Sequence, residues 1–353
     1  MITAKDKTYI KDIAYTTADD FLHAISYGGE LYNAFERNFV FRGHSSDKYK
    51  LLPVVQRENL YYKKYGTKDI TEELKVYAAT EFAQALIEYQ ILEDFFKMCD
   101  ENQLFVPEVR RMRELMPWKT QGFSFLLNEG VWLPEELYEL ATLAQHHGVP
   151  TRLLDWSQDI NVAIYFAVSG AIQKRYNPKK LTFYQWQEDF GKILSKAKDY
   201  HLKKEWKDDV EKRNIEIWAL DTSVRFQYIK DNPLQVIHPR YHENGNLGAQ
   251  KGILTFWEIK KPVKKHQEKG IVPDFKLLDS KTLDEQISDF LSKKGEPSKP
   301  YLYRITIPET EVLELYKVAK HYGCDAAHLF PRYDGVVKCL NEDEMVRKLI
   351  KGE

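Results

Sequence analysis

The chain has 353 residues, enough for one large domain or two ordinary ones. Its hydrophobic share of 43% supports a sizeable core, and a net charge of -1 gives no global pull toward nucleic acid or an anionic membrane. Cys99, Cys324 and Cys339 are far apart, match no zinc spacing and suggest no disulfide framework, which fits a reducing cytoplasm. The opening MITAKDKTYIKDIAYTTADD lacks an apolar signal core, and no apolar run is long enough to span a bilayer. A cytoplasmic protein with no membrane partner is therefore expected.

In chain order, Asp19–Tyr27 reads as a short helix and Asn38–Arg42 as a short apolar strand. Lys48–Glu58 looks extended, with Pro53 breaking helix. Over Thr71–Asp100, Leu74, Tyr77, Ala78, Phe82, Ala85, Leu86, Tyr89, Leu92 and Phe96 recur at helical spacing and predict an amphipathic helix. Pro134 starts a helix through Leu143 and Ala144, and Gly148 caps it. Asp159–Ala171 is a second, apolar helix.

Tyr184–Arg213 is rich in Lys, Asp and Glu and reads as a solvated helical insertion. Ile215–Asp221, Gly252–Glu258 and Tyr301–Ile307 are strand-like. Lys260–Gly270 and Lys293–Pro300 are connectors. Pro308 opens a helix ending near Gly323, and the tail holds a short helix or turn around Pro331 and Gly335. The expected class is α+β, a single elaborated domain over residues 1–353 with core motifs at 35–171 and 215–340. Its N-terminal half is helical, and the C-terminal half contributes most of a largely antiparallel sheet.

Chemistry is densest in the stretch LAQHHGVPTRLLDWSQDINVAIYFAVSGA, a polar loop between two apolar helices. His146 and His147 end the first helix, where the dipole favours their charged form. His146 is either a general acid or base, or a capping residue. Adjacent helical positions diverge, so one histidine faces inward and the other outward. They chelate poorly, and no metal site is expected. Asp155 or Ser157 caps the following helix, whose N-terminus then offers N–H groups to an anion beside Arg152. Thr151 belongs to the same loop. Trp156 either stacks on a ring or fills core.

Arg42 ends a predicted strand, and Gly43 lets the backbone turn or approach a ligand. The guanidinium either grips phosphate or carboxylate, or braces the fold against an internal acid such as Asp155. His44, Ser45 and Ser46 add donors. Gln250 can read a base edge or fix a turn, and Arg240 is a second phosphate candidate. Asp334-Gly335 reads as a turn dipeptide. Glu309 and Glu311 sit where acids suit a helix start.

Phe41-Arg42-Gly43, the segment Ala144–Ala167, Gln250-Lys251-Gly252 and the ending LFPRYDG together resemble the FRG domain family. That resemblance implies a bacterial cytoplasmic protein, with toxin or anti-phage defence settings. A looser likeness to ADP-ribosyltransferases implies an effector enzyme acting on NAD or a related nucleotide, bound as substrate and not as a tight cofactor. Arg42 and Arg152 would hold the diphosphate, and Trp156 and Gln250 would place the base. Asp155 or Asp334 would stabilise charge developing on ribose. The likeness leaves a protein or a nucleic acid open as target and does not identify the acceptor. Two other readings stay open: a nuclease using His146 with Asp155, and a non-catalytic ligand-sensing or partner-binding module. Arg42 and the Thr151–Ser157 loop carry the unusual polar residues amid apolar helices, and they are expected to converge on one concave pocket.

Overall fold

The computed structural model describes residues 9–35, 38–57, 81–114, 131–176, 213–240, 245–260 and 281–351. The early elements are β1 (Ile10–Ala14), α1 (Ala18–Ile25), α2 (Glu30–Ala34), β2 (Phe39–His44) and α3 (Val54–Arg57). Then come α4 (Glu81–Glu101), α5 (Arg110–Glu114), β3 (Val131–Trp132), α6 (Tyr138–His146), β4 (Leu154–Ser157) and α7 (Ile160–Tyr176). The later half holds β5 (Asn214–Asp221), α8 (Val224–Gln227), β6 (Leu234–Ile237), α9 (Gly245–Ala249), β7 (Gly252–Trp257) and β8 (Ile259–Lys260). It ends with α10 (Leu283–Lys294), β9 (Leu302–Pro308), α11 (Val312–His321), α12 (Ala326–Leu329) and α13 (Tyr333–Lys351).

The fold is α+β. Among the described residues a seven-stranded sheet runs β1-β9-β5-β2-β4-β7-β6, and β3 pairs with β8 apart from it. Within the large sheet only β1 and β9 run parallel. Three of its strands, β1, β2 and β4, come from the first half of the chain.

Strand alternation sorts the core. On one face, Phe41, Ile217, Ala219 and Ile305 pack under α1, α7, α11 and α13. Further along that face, Leu254, Phe256 and Ile237 pack under α4 and α6. The opposite face buries Val40, Leu154, Trp156, Trp218 and Ile253 against α10.

Local signals explain most boundaries. Thr17 caps α1 through the Asp20 N–H at 3.1 Å. Gly148 follows α6 at φ +84°, and the Val149 N–H returns to the Ala144 carbonyl at 3.0 Å, the left-handed exit expected of this glycine. Glycine is required at position 43 for a different reason. A Cβ there would stand 1.9 Å from the Ala163 carbonyl oxygen, because α7 lies directly on β2.

Several expectations change. Pro53 starts a helix instead of preventing one, since its carbonyl accepts from Gln56 and Arg57. The polar loop contains β4, whose four residues alternate too briefly to register as a strand. Helix α10 is an element absent from the expected order, although Thr282 and Glu285 form a capping box ahead of it. Asp334-Gly335 is no turn but the first turn of α13, a 19-residue helix. The expected insertion over Tyr184–Arg213 lies outside the described residues except for Arg213, as does the Thr71–Thr80 part of the long helix.

Gly43→Ala should lose about 1–3 kcal/mol of stability, as overpacking does. A urea unfolding midpoint equal to wild type would contradict the close α7–β2 approach.

Candidate functional site

Strands β2 and β4 pair at one position only, Phe41 with Ser157. Beyond it the strands share no further rung. The Asp155 carbonyl accepts from Arg42 Nη1 at 2.6 Å. A backbone carbonyl turned toward β2 needs a donor, and here the guanidinium supplies it where the neighbouring strand does not.

A cavity of about 490 Å³ opens at this seam. Its wall takes Val162, Ala163 and Phe166 from α7, and Thr142, Gln145 and His146 from α6. Asn246, Leu247, Gln250 and Phe330 close another side. Arg42, His44 and Arg57 supply its basic groups, and Asp155 its carboxylate.

The expected convergence of Arg42 with the Thr151–Ser157 loop is met. Arg42 Nη1 stands 3.8 Å from Asp155 Oδ2, with side-chain exposures of 17% and 61%. Such an open carboxylate neutralises the cation weakly, because water screens it. Asp155 is held from behind: Gln145 Nε2 donates to its Oδ1 at 2.5 Å, and the Thr151 hydroxyl donates to Gln145 Oε1. Thr151 is therefore buried support for Gln145, not part of the wall.

His146 faces the cavity and His147 is exposed, as adjacent helical positions require. The expected charged form is corrected. Burial, then the charges of His147 and Arg332, push His146 below 6.5, while Asp155 opposes them. His146 is thus neutral at neutral pH and able to accept a proton.

Ser157 and Asp159 divide the capping of α7. Ser157 Oγ accepts from the Asp159 N–H at 3.0 Å and donates to the Gln250 carbonyl at 2.7 Å. Asp159 itself accepts from the Asn161 N–H at 2.9 Å and pairs with Lys251 at 2.8 Å. The helix N-terminus is thereby occupied by the protein's own carboxylate, contrary to the expected anion seat. Gln250 lines the cavity, and its side-chain amide donates to the Leu329 carbonyl at 3.1 Å.

Four residues fall outside their expected roles. Arg152 is 3% exposed and grips Glu88 through Nε at 2.6 Å and Nη2 at 2.8 Å. Trp132 and Gln84 also donate to Glu88, so this pair ties α4 and β3 to β4. Trp156 touches the cavity wall, but its indole N–H is spent on Thr255 at 2.8 Å within the opposite core. Arg240 pairs with Glu139 at 2.8 Å, away from the cavity. Asp334 is exposed on the first turn of α13, where a carboxylate suits the helix's positive end. Glu309 pairs with Arg175 at 2.8 Å and Glu311 accepts from the Ala18 N–H at 2.8 Å, both structural.

Gln145, Arg57 and Tyr49 were missed as site residues. Gln145 directly precedes the histidine pair, a signal in plain view. Arg57 and Tyr49 carried none, since only the path of the chain after β2 brings them to the seam. His44 was foreseen as a donor, yet its Nε2 accepts from Arg42 Nε at 3.1 Å. Its Nδ1 lies 3.2 Å from Glu216 Oε1. Burial holds His44 below 6.5, with the Arg42 charge adding to it and Glu216 opposing.

Residues 110–176 match the FRG domain model. The matched stretch contains Ala144–Ala167, the longest of the four segments that carry the resemblance. The other three segments lie outside it. No curated protein and no solved structure matches the chain. These comparisons therefore lend nothing to the ADP-ribosyltransferase likeness. Among the described residues, no helix is long and apolar enough to cross a membrane, and no group of three or more His, Cys, Asp and Glu is disposed to hold a metal ion.

Two tests follow from the buried charges. Arg152→Ala should cost about 3–5 kcal/mol, because Glu88 is left buried without its cation; chemical denaturation measures it. For His44, the unfolded chain takes up a proton near 6.5 while the folded chain resists it. Stability is then full above that pH and falls as the pH drops below it. Wild type should lose more stability between pH 7.5 and 5.5 than His44→Gln. Equal losses would refute a buried neutral His44.

Proposed function

We propose that the cavity is an enzyme site for NAD or a related nucleotide, with Arg42 as its phosphate grip. One observation carries this reading. All four segments that resemble the FRG family contribute to the cavity wall, and Arg42 keeps donors to spare there. Its Nε serves His44 and its Nη1 serves the Asp155 carbonyl. Among the described residues no acceptor takes Nη2. A guanidinium has five N–H donors in a planar fork suited to phosphate. Arg57, on the same wall, adds positive charge. The cavity's volume lies within the range of small-molecule sites, roughly 300–1,000 Å³, and the apolar rings of Phe166 and Phe330 offer a base or nicotinamide its faces.

In ADP-ribosyl transfer from NAD to a hydroxyl of a target, the ribose C1′–N bond breaks, and nicotinamide leaves with the bonding pair. Positive charge builds on the ribose, and Asp155, fixed by Gln145, faces it. The incoming hydroxyl forms the new bond to C1′ and gives its proton to neutral His146. Arg152 and Arg240 have no part, because Glu88 and Glu139 take their charges, and Asp334 is not among the residues that line the cavity.

Calorimetric titration with NAD, followed by an assay for released nicotinamide, tests the reading. Arg42→Ala should weaken NAD binding by about 2–5 kcal/mol, the cost of losing a buried charged contact. Its melting temperature should fall far less than that of Arg152→Ala. Arg42→Lys should rescue poorly, since an ammonium lacks the fork. Binding without nicotinamide release would mark a ligand-sensing module. Unchanged binding in Arg42→Ala would remove Arg42 from the site.

A further inference from the structure

We propose that His44 is the positioning residue that aims Arg42 into the cavity, itself fixed by buried Glu216. The inference rests on the reading of Arg42 as an anion grip.

The geometry runs inward from the guanidinium. Arg42 Nε donates to His44 Nε2 at 3.1 Å, so that ring nitrogen must carry a lone pair. The ring proton then belongs on Nδ1, which faces Glu216 Oε1 at 3.2 Å. Glu216 is 1% exposed. Its other oxygen accepts from Arg304 Nε at 2.6 Å, and the Trp218 indole donates to Oε1. Arg304 thus balances the carboxylate, and the imidazole has no need to be charged to satisfy it. A carboxylate that orients an imidazole through Nδ1 sets which nitrogen faces outward.

The consequence falls on Arg42. Its guanidinium plane is pinned at Nε by His44 and at Nη1 by the Asp155 carbonyl. The remaining donors, on Nη1 and Nη2, are left for a ligand. A long side chain fixed before binding loses less rotamer freedom when the ligand arrives. Strand β2 makes the arrangement compact, because Arg42 and His44 are two residues apart and share one face of the strand. Their partners Trp218 and Glu216 stand opposite them on β5 in the same register.

Two substitutions separate the two ends of the imidazole. His44→Asn keeps an amide donor near Glu216 and removes the acceptor for Arg42. His44→Gln carries an acceptor out to the Nε2 position. The Arg42 Nε–H resonance, assigned by its loss in Arg42→Lys, reports the hold directly by NMR. NAD titration on the same proteins reports the effect on binding, and the diphosphate of NAD keeps its charge across neutral pH. In His44→Asn the protected Nε–H resonance should disappear and NAD affinity should fall about tenfold, as loss of one charged hydrogen bond predicts. In His44→Gln the resonance should persist and affinity should stay within about threefold of wild type. A resonance unchanged in His44→Asn overturns the proposal. So does a lost resonance with unchanged NAD affinity. If wild type binds no NAD, the nucleotide reading fails, and the resonance alone decides whether His44 positions Arg42.

Discussion

A single rung joins the two parts of the large sheet. Strands β1, β9, β5 and β2 form one ladder and β4, β7 and β6 another, and only Phe41–Ser157 links them. A continuous ladder there would pair the Asp155 carbonyl with backbone and close the seam. With one rung, the carbonyl takes Arg42 instead, and space remains between α6 and α7 for a cavity. The site therefore depends on an interruption of β pairing more than on any one side chain.

Keeping that seam open places demands on both flanks. On the β2 side, α7 lies against the strand closely enough that only glycine fits at position 43. On the β4 side, the Arg152–Glu88 pair anchors the loop before the strand to α4 and β3. Burying such a pair is costly unless every partner is satisfied. Here Trp132, Gln84 and the Trp257 carbonyl complete it. The two arginines of the expected diphosphate grip thus divide the labour: Arg152 builds the wall and Arg42 faces the space.

The electrostatics of the cavity follow from the same layout. Glu216 on β5 and Arg304 on β9 settle their charges against each other, and neither lines the cavity. His44 and His146 are both held toward their neutral forms, the first chiefly and the second firstly by burial. Among the described residues, Arg42 and Arg57 are left as the basic groups of the wall, opposed by one well-exposed carboxylate, Asp155. An anionic ligand suits that balance, and an uncharged ring suits the apolar side made by α7 and Phe330.

The helices around the site were legible in the residues themselves. Periodicity, Pro134 and Gly148 marked α6, and the apolar run after Asp159 marked α7, because helix signals are local. The concentration of polar residues between them marked the region of the cavity for the same reason. Four-residue β4 was not legible, since a strand so short is made by its neighbours. Nor could the chain alone tell Arg42 from Arg152. Each follows apolar or polar residues unremarkably, and each has a carboxylate nearby in sequence. Their fates were decided by Glu88, 64 positions from Arg152, and by the unpaired carbonyl of Asp155, 113 positions from Arg42. The sequence by itself determined the two helices that flank the site and where polar chemistry gathers. Only the tertiary structure decided which charges are buried and spent and which face a ligand, because burial and pairing are set by contacts between distant parts of the chain.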